Sequence, residues 1–372
     1  MRKENVYSAL GHIARLVLGV VFIFSGSVKA IDPLGTVYKI EDYLKAFGGF
    51  FTELMPLAMT AAVCLIVVEI LLGFCLVLNI QTRWMVWLSL AFYLVMTPLT
   101  LYVALTNPVS DCGCFGDAVV LTNWQTFWKN IVLLAFVILL LCCRKHIHPT
   151  WVGTVEWVFA VLTVIGTLGF MAWTVLNLPV KDFRPYKIGN NIPELMEYPE
   201  DAEPDQYEQT FIYEKDGVEQ EFTLQNYPKN DSTWTFVDQR SVLVKKGYEP
   251  PIHDFELMSL EFEDLTYDIL DSDEPVSLFI CYDLDKTNRR QAAKMSELGE
   301  HLSDKGEDWF IVTGSGEQTI EAFAASFGLD IERFLNCDPV TLKTIVRANP
   351  GLIRIQRGTI IDKQNVRNID LK

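Results

Sequence analysis

Residues 56–78 read PLAMTAAVCLIVVEILLGFCLVL, an apolar run with a single ionisable residue, Glu69. A hydrocarbon core about 30 Å thick is crossed by roughly 20 helical residues, so this run is long enough to span a membrane. Further apolar segments of similar length lie at about residues 8–28, 84–105, 124–143 and 152–176. The sequence therefore predicts five transmembrane helices, with the lipid bilayer as their surroundings.

The two halves of the chain differ in charge. The 372 residues are 50% hydrophobic and carry a formal net charge of -16. Residues 1–179 hold 10 Lys and Arg against 9 Asp and Glu, whereas residues 180–372 hold 21 against 38. Because phosphate binding needs a basic surface, the acidic second half excludes nucleic acid as a partner.

Positive residues predict the orientation of the helices. With the N-terminus in the cytoplasm, the inner side receives Arg2, Lys3, Arg83, Arg144 and Lys145. The loop between the third and fourth spans, which then lies outside, contains no Lys or Arg, as the positive-inside rule requires. The loop at residues 29–55 opposes this orientation with three lysines. Because the number of spans is odd, residues 180–372 then lie on the outer face of the membrane.

The second half contains two kinds of pattern. Residues 180–253 are polar and acidic, and the alternating runs around Asp216-Gly217 are typical of a β-hairpin at 210–222. From residue 254 onward, strand and helix patterns alternate. We expect strands at 276–282 and 309–313, helices at 287–303 and 317–327, and a terminal hairpin at 352–361. This order predicts an α/β domain with a mixed sheet.

The end of this domain resembles the thioredoxin-like family. Residues 342–353 read LKTIVRANPGLI, a helix and then a proline before a strand and hairpin. In that family the matching proline is in cis and faces the active site, so the resemblance gives Pro350 as a partner-binding candidate. The family's Cys-x-x-Cys should follow the strand ending near residue 282, where residues 283–288 read DLDKTN instead. We therefore expect no thioredoxin-type dithiol chemistry in this domain.

Residues 111–117 read DCGCFGD and lie in the loop before the fourth span. Gly113 permits the backbone torsions that a disulfide across one residue would demand, and strained disulfides are prone to exchange. Cys112 and Cys114 are therefore the catalytic candidates. Two alternatives stay open: structural thiols, either free or paired with Cys281 and Cys337, and a metal site that includes Asp111 and Asp117. Hard carboxylates suit a soft-metal site poorly, and we expect no metal.

This loop and its neighbouring spans resemble the DoxX-like and MauE membrane families. The resemblance covers about residues 8–145 and rests on three features: FSGSVKAIDP at residues 24–33, an acid inside the second span at Glu69, and the Cys-x-Cys-Phe-Gly sequence. It implies a role in disulfide formation or in the maturation of an exported redox enzyme. By the same analogy a quinone is a candidate cofactor. The whole layout is similar to DoxX-family envelope proteins of Bacteroidota.

The predicted fold is a membrane α-helical bundle fused to an α/β thioredoxin-like domain. The chain divides into a DoxX/MauE-like four-helix membrane domain (1–145), a fifth transmembrane helix (146–179), a polar acidic linker region (180–253) and the thioredoxin-like domain (254–372). We expect a multi-pass protein of the bacterial cytoplasmic membrane with a periplasmic C-terminal domain.

Glu69 is the third catalytic candidate. An ionisable residue near the middle of a span is costly, so it marks either a functional group that handles protons or a carboxyl that braces the helices. At the outer end of the first span, Lys29 and Asp32 form either an ion pair or contacts with lipid headgroups.

Two functions agree with these observations. The first is a thiol-disulfide or quinone-linked oxidoreductase that exchanges electrons between Cys112 and Cys114 and an exported client protein. The second is a non-enzymatic assembly or scaffold protein, in which the α/β domain has kept only a peptide-binding surface next to Pro350.

Overall fold

The computed structural model describes residues 2–109, 111–148, 150–151, 153–199, 201–204, 206–229, 231, 233–245 and 247–370. Its N-terminal part consists of long helices: α1 (Arg2–Ile31), α2 (Pro33–Phe47), α3 (Ala58–Leu78), α4 (Thr82–Thr106), α5 (Asn123–Cys143) and α6 (Gly153–Asn177). Among the described residues, five helical segments are long and apolar enough to cross a membrane, and α2 belongs to none of them. The predicted number of spans is confirmed.

Helices α1 and α3 form the closest pair of the bundle. Gly73 on α3 faces α1, and a Cβ atom added there would lie 2.6 Å from the backbone nitrogen of Ile23. No real side chain tolerates such a distance, so glycine is what allows the two backbones to meet. Below this contact, Leu18, Phe22 and Leu76 are buried in the apolar core shared with α4 and α5. This close packing fixes the position of α1 along its axis relative to α3.

The segment between α1 and α3 is not the loop that we predicted at residues 29–55. Helix α2 begins after Asp32, whose Oδ1 accepts the N–H of Gly35 at 2.9 Å, and Pro33 occupies its first turn. A 3-10 helix over Gly49–Leu57 continues from α2 to α3. At 15 residues α2 is too short to span a membrane, and its mixed composition hides it from a search for apolar runs.

A small antiparallel sheet follows the membrane part. It contains β1 (Gln206–Lys215), β2 (Val218–Thr223) and β3 (Thr235–Lys245) in the order β2-β1-β3. Asp216 and Gly217 have φ values of 54° and 79°, as a two-residue hairpin turn requires, so the predicted hairpin is confirmed. The third strand, β3, was not predicted.

The C-terminal part is a mixed α/β domain, as predicted. Its strands are β4 (Met258–Ser259), β5 (Val276–Cys281), β6 (Asp308–Thr313), β7 (Phe334–Asn336), β8 (Gly351–Gln356) and β9 (Thr359–Asn365). The sheet order is β4-β7-β6-β5-β8-β9, in which β5, β6 and β7 run parallel and the other pairs are antiparallel. Helices lie on both faces: α7 (Ile192–Met196), α8 (Thr266–Leu270), α9 (Arg289–Asp304), α10 (Glu317–Phe327) and α11 (Pro339–Ile345).

Two cores lie on opposite sides of this sheet. Phe279 and Cys281 pack with α9 and α10, whereas Leu278 and Ile280 pack with α11 on the other face. Alternate residues of one strand point to opposite faces of the sheet. Because helices cover both faces, β5 is buried throughout. The second core also includes Tyr186 and Ile192, which precede the predicted domain boundary at residue 254.

The small sheet is inserted into the α/β domain. The chain contributes α7 to the core, leaves to form β1, β2 and β3, and returns at Ile252, which is buried. The N–H of Ile252 donates to the carbonyl of Leu195 at 3.2 Å, so the two ends of the insertion lie side by side.

Candidate functional site

The loop between α4 and α5 brings the two predicted thiols together. The Sγ atoms of Cys112 and Cys114 are 3.0 Å apart. Gly113 between them has φ +64°, which favours glycine, and its N–H donates to Asp111 Oδ1 at 2.8 Å. The local turn therefore points both side chains to the same place, and both are present as free thiols.

A buried ion pair lies directly beneath Cys114. Lys29 Nζ is 2.9 Å and 2.8 Å from the two carboxylate oxygens of Glu69, and both residues are almost completely buried. The same ammonium group donates to the Cys114 carbonyl and to Ser25 Oγ, each at 2.7 Å. All three N–H groups of Lys29 thus have acceptors, which is what a buried charge requires.

Ser25 completes this network. Its Oγ lies 2.8 Å from the Cys114 carbonyl oxygen and 3.0 Å from Glu69 Oε2. The Glu69 carboxylate thus contacts Lys29, and Lys29 contacts the backbone carbonyl of Cys114. Of the two arrangements left open for Lys29, neither is present, because Lys29 pairs with Glu69 instead of Asp32.

Helix α2 holds the other side of the loop. Lys39 Nζ forms an ion pair with Asp111 Oδ2 at 2.9 Å, and Tyr43 donates its hydroxyl to the Cys112 carbonyl at 3.2 Å. Burial raises the pKa of Tyr43 far above its usual value, so this hydroxyl keeps its proton. The loop is therefore fixed between α1, α2 and α3.

The two thiols do not ionise alike. The hydrogen bond from Cys112 lowers the pKa of Cys114, and the positive charges of Lys129 and Lys29 act in the same direction, although burial opposes them. The hydrogen bond to Cys114 and burial both raise the pKa of Cys112. These shifts favour the thiolate, the nucleophilic form of cysteine, at Cys114 and the protonated thiol at Cys112.

Both cysteines line a cavity of about 180 Å³. Aromatic and other apolar side chains form most of its wall, and Lys29, Glu69 and Lys129 contribute charge. A water molecule needs roughly 10–15 Å³ of such space, so the cavity has room for several waters or for one ring-sized organic group beside the thiols. The aromatic residues of the wall are Phe22, Tyr43, Phe92, Tyr93, Phe115 and Phe183.

The α/β domain contacts the membrane domain next to this cavity. Arg347, which follows α11, directs its Nε to Asp32 Oδ2 at 2.8 Å and its Nη2 to Asp117 Oδ2 at 3.5 Å. Tyr38 of α2 lies under the guanidinium of Arg347 at 5.2 Å and under the ammonium of Lys343 at 4.8 Å. Neither Asp32 nor Arg347 was recognised from the sequence as part of a domain contact.

Pro350 is buried and does not line the cavity. The Asn349–Pro350 peptide bond is cis, as the thioredoxin-like resemblance implied. Asn349 Nδ2 donates to the carbonyl of Asp283 at 2.7 Å, which ties this turn to the 283–288 loop where a Cys-x-x-Cys was expected. The structure thus brings three of the four predicted site residues together and places Pro350 apart from them.

The cysteines of the α/β domain are separated by its sheet. Cys281 lies in the core with α9 and α10, 3.7 Å from Met295 Sδ, and Cys337 lies in the opposite core. Burial raises the pKa of both thiols, that of Cys337 to about 12. They are not paired with each other or with the loop thiols. Among the described residues, no three His, Cys, Asp or Glu side chains are arranged to hold a metal ion.

Sequence reasoning missed Ser25, Lys29 and Tyr43 as site residues. One signal was available for the first two: they lie four residues apart, on one face of the first span, inside the segment that carried the family resemblance. Glu69 also needed a buried partner, and a lysine near the end of a neighbouring span is the simplest one.

Two family models match the chain. Residues 7–143 match the family described as methylamine utilisation protein MauE, and residues 207–246 match a domain of unknown function, DUF8463. A search of curated proteins found no match. The MauE match includes α1 to α5 and the Cys112–Cys114 loop, and the DUF8463 match coincides with the small sheet. The membrane domain of this multi-pass protein is thus similar to a family of membrane proteins, MauE.

Proposed function

We propose that this protein is a thiol-disulfide oxidoreductase of the bacterial cytoplasmic membrane that acts on exported proteins. The observation that carries the proposal is the pair of thiols 3.0 Å apart in a cavity, supported from below by Lys29 and Glu69. The match to MauE, the DoxX-like features of the loop and the thioredoxin-like order of β5, β6, β8 and β9 support a redox role in the cell envelope.

The exchange proceeds through a mixed disulfide. A client thiolate attacks one sulfur of an oxidised Cys112–Cys114 bond, and the second loop sulfur leaves as a thiolate. The second client thiol, as its thiolate, then displaces the first loop sulfur. The client gains a disulfide, and the loop gains the two electrons and two protons that the client has lost.

Cys114 suits the role of leaving and attacking sulfur because its lowered pKa favours the thiolate. Glu69 acts through Lys29, which donates to the Cys114 carbonyl and whose positive charge helps to lower the pKa of the Cys114 thiol. A quinone, if bound, would supply an electron acceptor that restores the loop disulfide. The apolar wall with Phe22, Phe92 and Tyr93 fits a ring of that kind.

A redox titration tests the proposal. The purified protein is equilibrated in glutathione buffers of graded potential, and each cysteine is then trapped and identified by mass spectrometry. We expect Cys112 and Cys114 to change state together in one two-electron step, within the range of about -270 to -120 mV that exchange-active pairs cover. A pair that stays oxidised below about -300 mV would be a structural disulfide and would refute the proposal.

One observation favours the second candidate, a scaffold with a redox-inactive thioredoxin-like domain. Cys281 and Cys337 are buried in different cores, so the α/β domain has no dithiol of its own. The loop variant C112S/C114S separates the two functions in a deletion strain. Full complementation at normal protein level supports the scaffold, and failure of complementation supports the oxidoreductase.

A further inference from the structure

The contact between the two domains reaches both segments that build the thiol site. Asp32 follows Lys29 by three residues, and Asp117 follows Cys114 by three. Arg347 bridges these two carboxylates with one guanidinium group whose side chain is only 8% exposed. The α/β domain therefore contacts the segment that carries Lys29 and the loop that carries Cys114 at the same time.

The segment that joins α6 to the α/β domain also covers the cavity. Residues 179, 181, 182, 183 and 184 line it together with the two cysteines. Arg184 is anchored on Asp182 by hydrogen bonds of 2.7 Å and 2.9 Å and on the Thr344 carbonyl at 2.8 Å. Thr344 lies in α11, three residues before Arg347. The covering segment and the Arg347 contact are thus attached to the same helix.

This arrangement conflicts with exchange on a protein client. A mixed disulfide forms only when a client sulfur reaches a loop sulfur directly. With the α/β domain in place, the cysteines lie in a cavity whose wall includes α2 and the 179–184 segment, with room for a small molecule only. The domain has to move before a protein thiol can enter.

Resting on the proposed function, we propose that the α/β domain is a gate over the Cys112–Cys114 site and that Arg347 is its latch. When Arg347 holds Asp32 and Asp117, the thiols are closed to proteins. When these two ion pairs break, α11 and the 179–184 segment move away together and the thiols become accessible. The domain that lacks a dithiol of its own thereby controls access to the dithiol in the membrane.

The test measures how fast a maleimide attached to a long polyethylene glycol chain, which is too large for the cavity and does not cross membranes, modifies Cys112 and Cys114 in the reduced full-length protein. Each cysteine is read out separately by mass spectrometry. In R347Q the positive charge is lost and the gate should stay open for a larger fraction of the time. We expect modification about tenfold faster than in the unchanged protein. D32N removes one of the two latch carboxylates from the membrane side and should accelerate modification in the same direction.

The matched control is R354Q. Arg354 forms an ion pair with Glu307 on the same α/β domain. Among the described residues, no hydrogen bond or ion pair joins Arg354 to the membrane part, so its loss should leave the modification rate unchanged. Cys281 and Cys337 report on folding in every variant, because they remain unmodified as long as the domain is folded.

Equal rates in R347Q, D32N and the unchanged protein overturn the gate. A result in which R354Q accelerates modification as much as R347Q overturns it as well, because general loosening of the domain then explains the effect. The outcome is independent of the redox titration: faster modification in R347Q with no two-electron step supports the gate and refutes the oxidoreductase, and the converse result refutes the gate alone.

Discussion

The Cys112–Cys114 pair of the membrane domain and the two cysteines of the α/β domain, Cys281 and Cys337, have different surroundings, and so do the Lys29–Glu69 and Arg354–Glu307 ion pairs of the two domains. Cys112 and Cys114 meet at 3.0 Å beside charged groups, whereas Cys281 and Cys337 lie in separate apolar cores. Lys29 and Glu69 are buried under the thiols, whereas Arg354 in β8 and Glu307 before β6 are partly exposed. Nearby charges and the short distance between the two sulfur atoms distinguish the loop pair from the buried cysteines of the α/β domain.

Thiol reactivity should show the largest difference between the two regions. In the folded protein, we expect Cys281 and Cys337 to react with maleimide at least about a thousandfold more slowly than Cys114, because they become accessible only on unfolding of the domain. Pulse labelling with mass spectrometry measures the rates. In denaturant Cys112, Cys114, Cys281 and Cys337 should react at similar rates. Fast labelling of Cys337 in the folded protein would contradict the prediction.

Removal of one ion-pair partner should distinguish the regions next. K29M leaves Glu69 as a buried charge without its partner, and we expect the free energy of unfolding to fall by about 3–5 kcal/mol. The matched variant R354M breaks the more exposed pair and should cost about 1 kcal/mol. Denaturant unfolding in detergent micelles measures both values.

The double variant K29M/E69M tests whether the unpaired charge causes the loss of stability. Replacing both partners of a buried pair by apolar side chains removes the uncompensated charge, so most of the lost stability should return. Equal losses of stability in K29M and R354M would show that the deeper burial of the Lys29–Glu69 pair does not affect the free energy of unfolding, and would contradict the prediction.

The pH dependence of alkylation gives the smallest of the three effects. Only the thiolate reacts, and the pKa of Cys114 is lowered, so its rate should stay on the plateau below pH 8.5, where an ordinary thiol is already losing reactivity. The rate should fall only as the pH drops through the lowered pKa. K129M removes a positive charge and should shift the pH dependence of the Cys114 alkylation rate toward higher pH by about one unit. An unchanged profile in K129M would contradict the assigned cause.

The parts of the fold that depend on local pattern were predictable. Five apolar lengths gave the number of spans, and Asp216-Gly217 gave the hairpin. Helix α2 escaped because its 15 residues mix apolar and charged side chains, and its start depends on Asp32 and Pro33 as cap and first-turn residues. Strand β3 escaped because nothing in its own sequence shows that it pairs with β1.

The site was predictable only in its chemically unusual residues. Two cysteines around one glycine and one acid inside a span stand out in any sequence. Lys29 and Arg347 do not, since their roles come from contacts across 40 and 315 residues of chain. Close packing of α1 on α3 and docking of α11 on α2 create these contacts, and neither follows from local propensity.

The inserted sheet has a consequence for the history of the protein. Its two ends lie side by side at Leu195 and Ile252, so β1, β2 and β3 can be lengthened, exchanged or lost with little change to the core that carries them. A module attached in this way can change its surface rapidly while the membrane site stays constant. Partner choice and chemistry can then evolve at different rates within one chain.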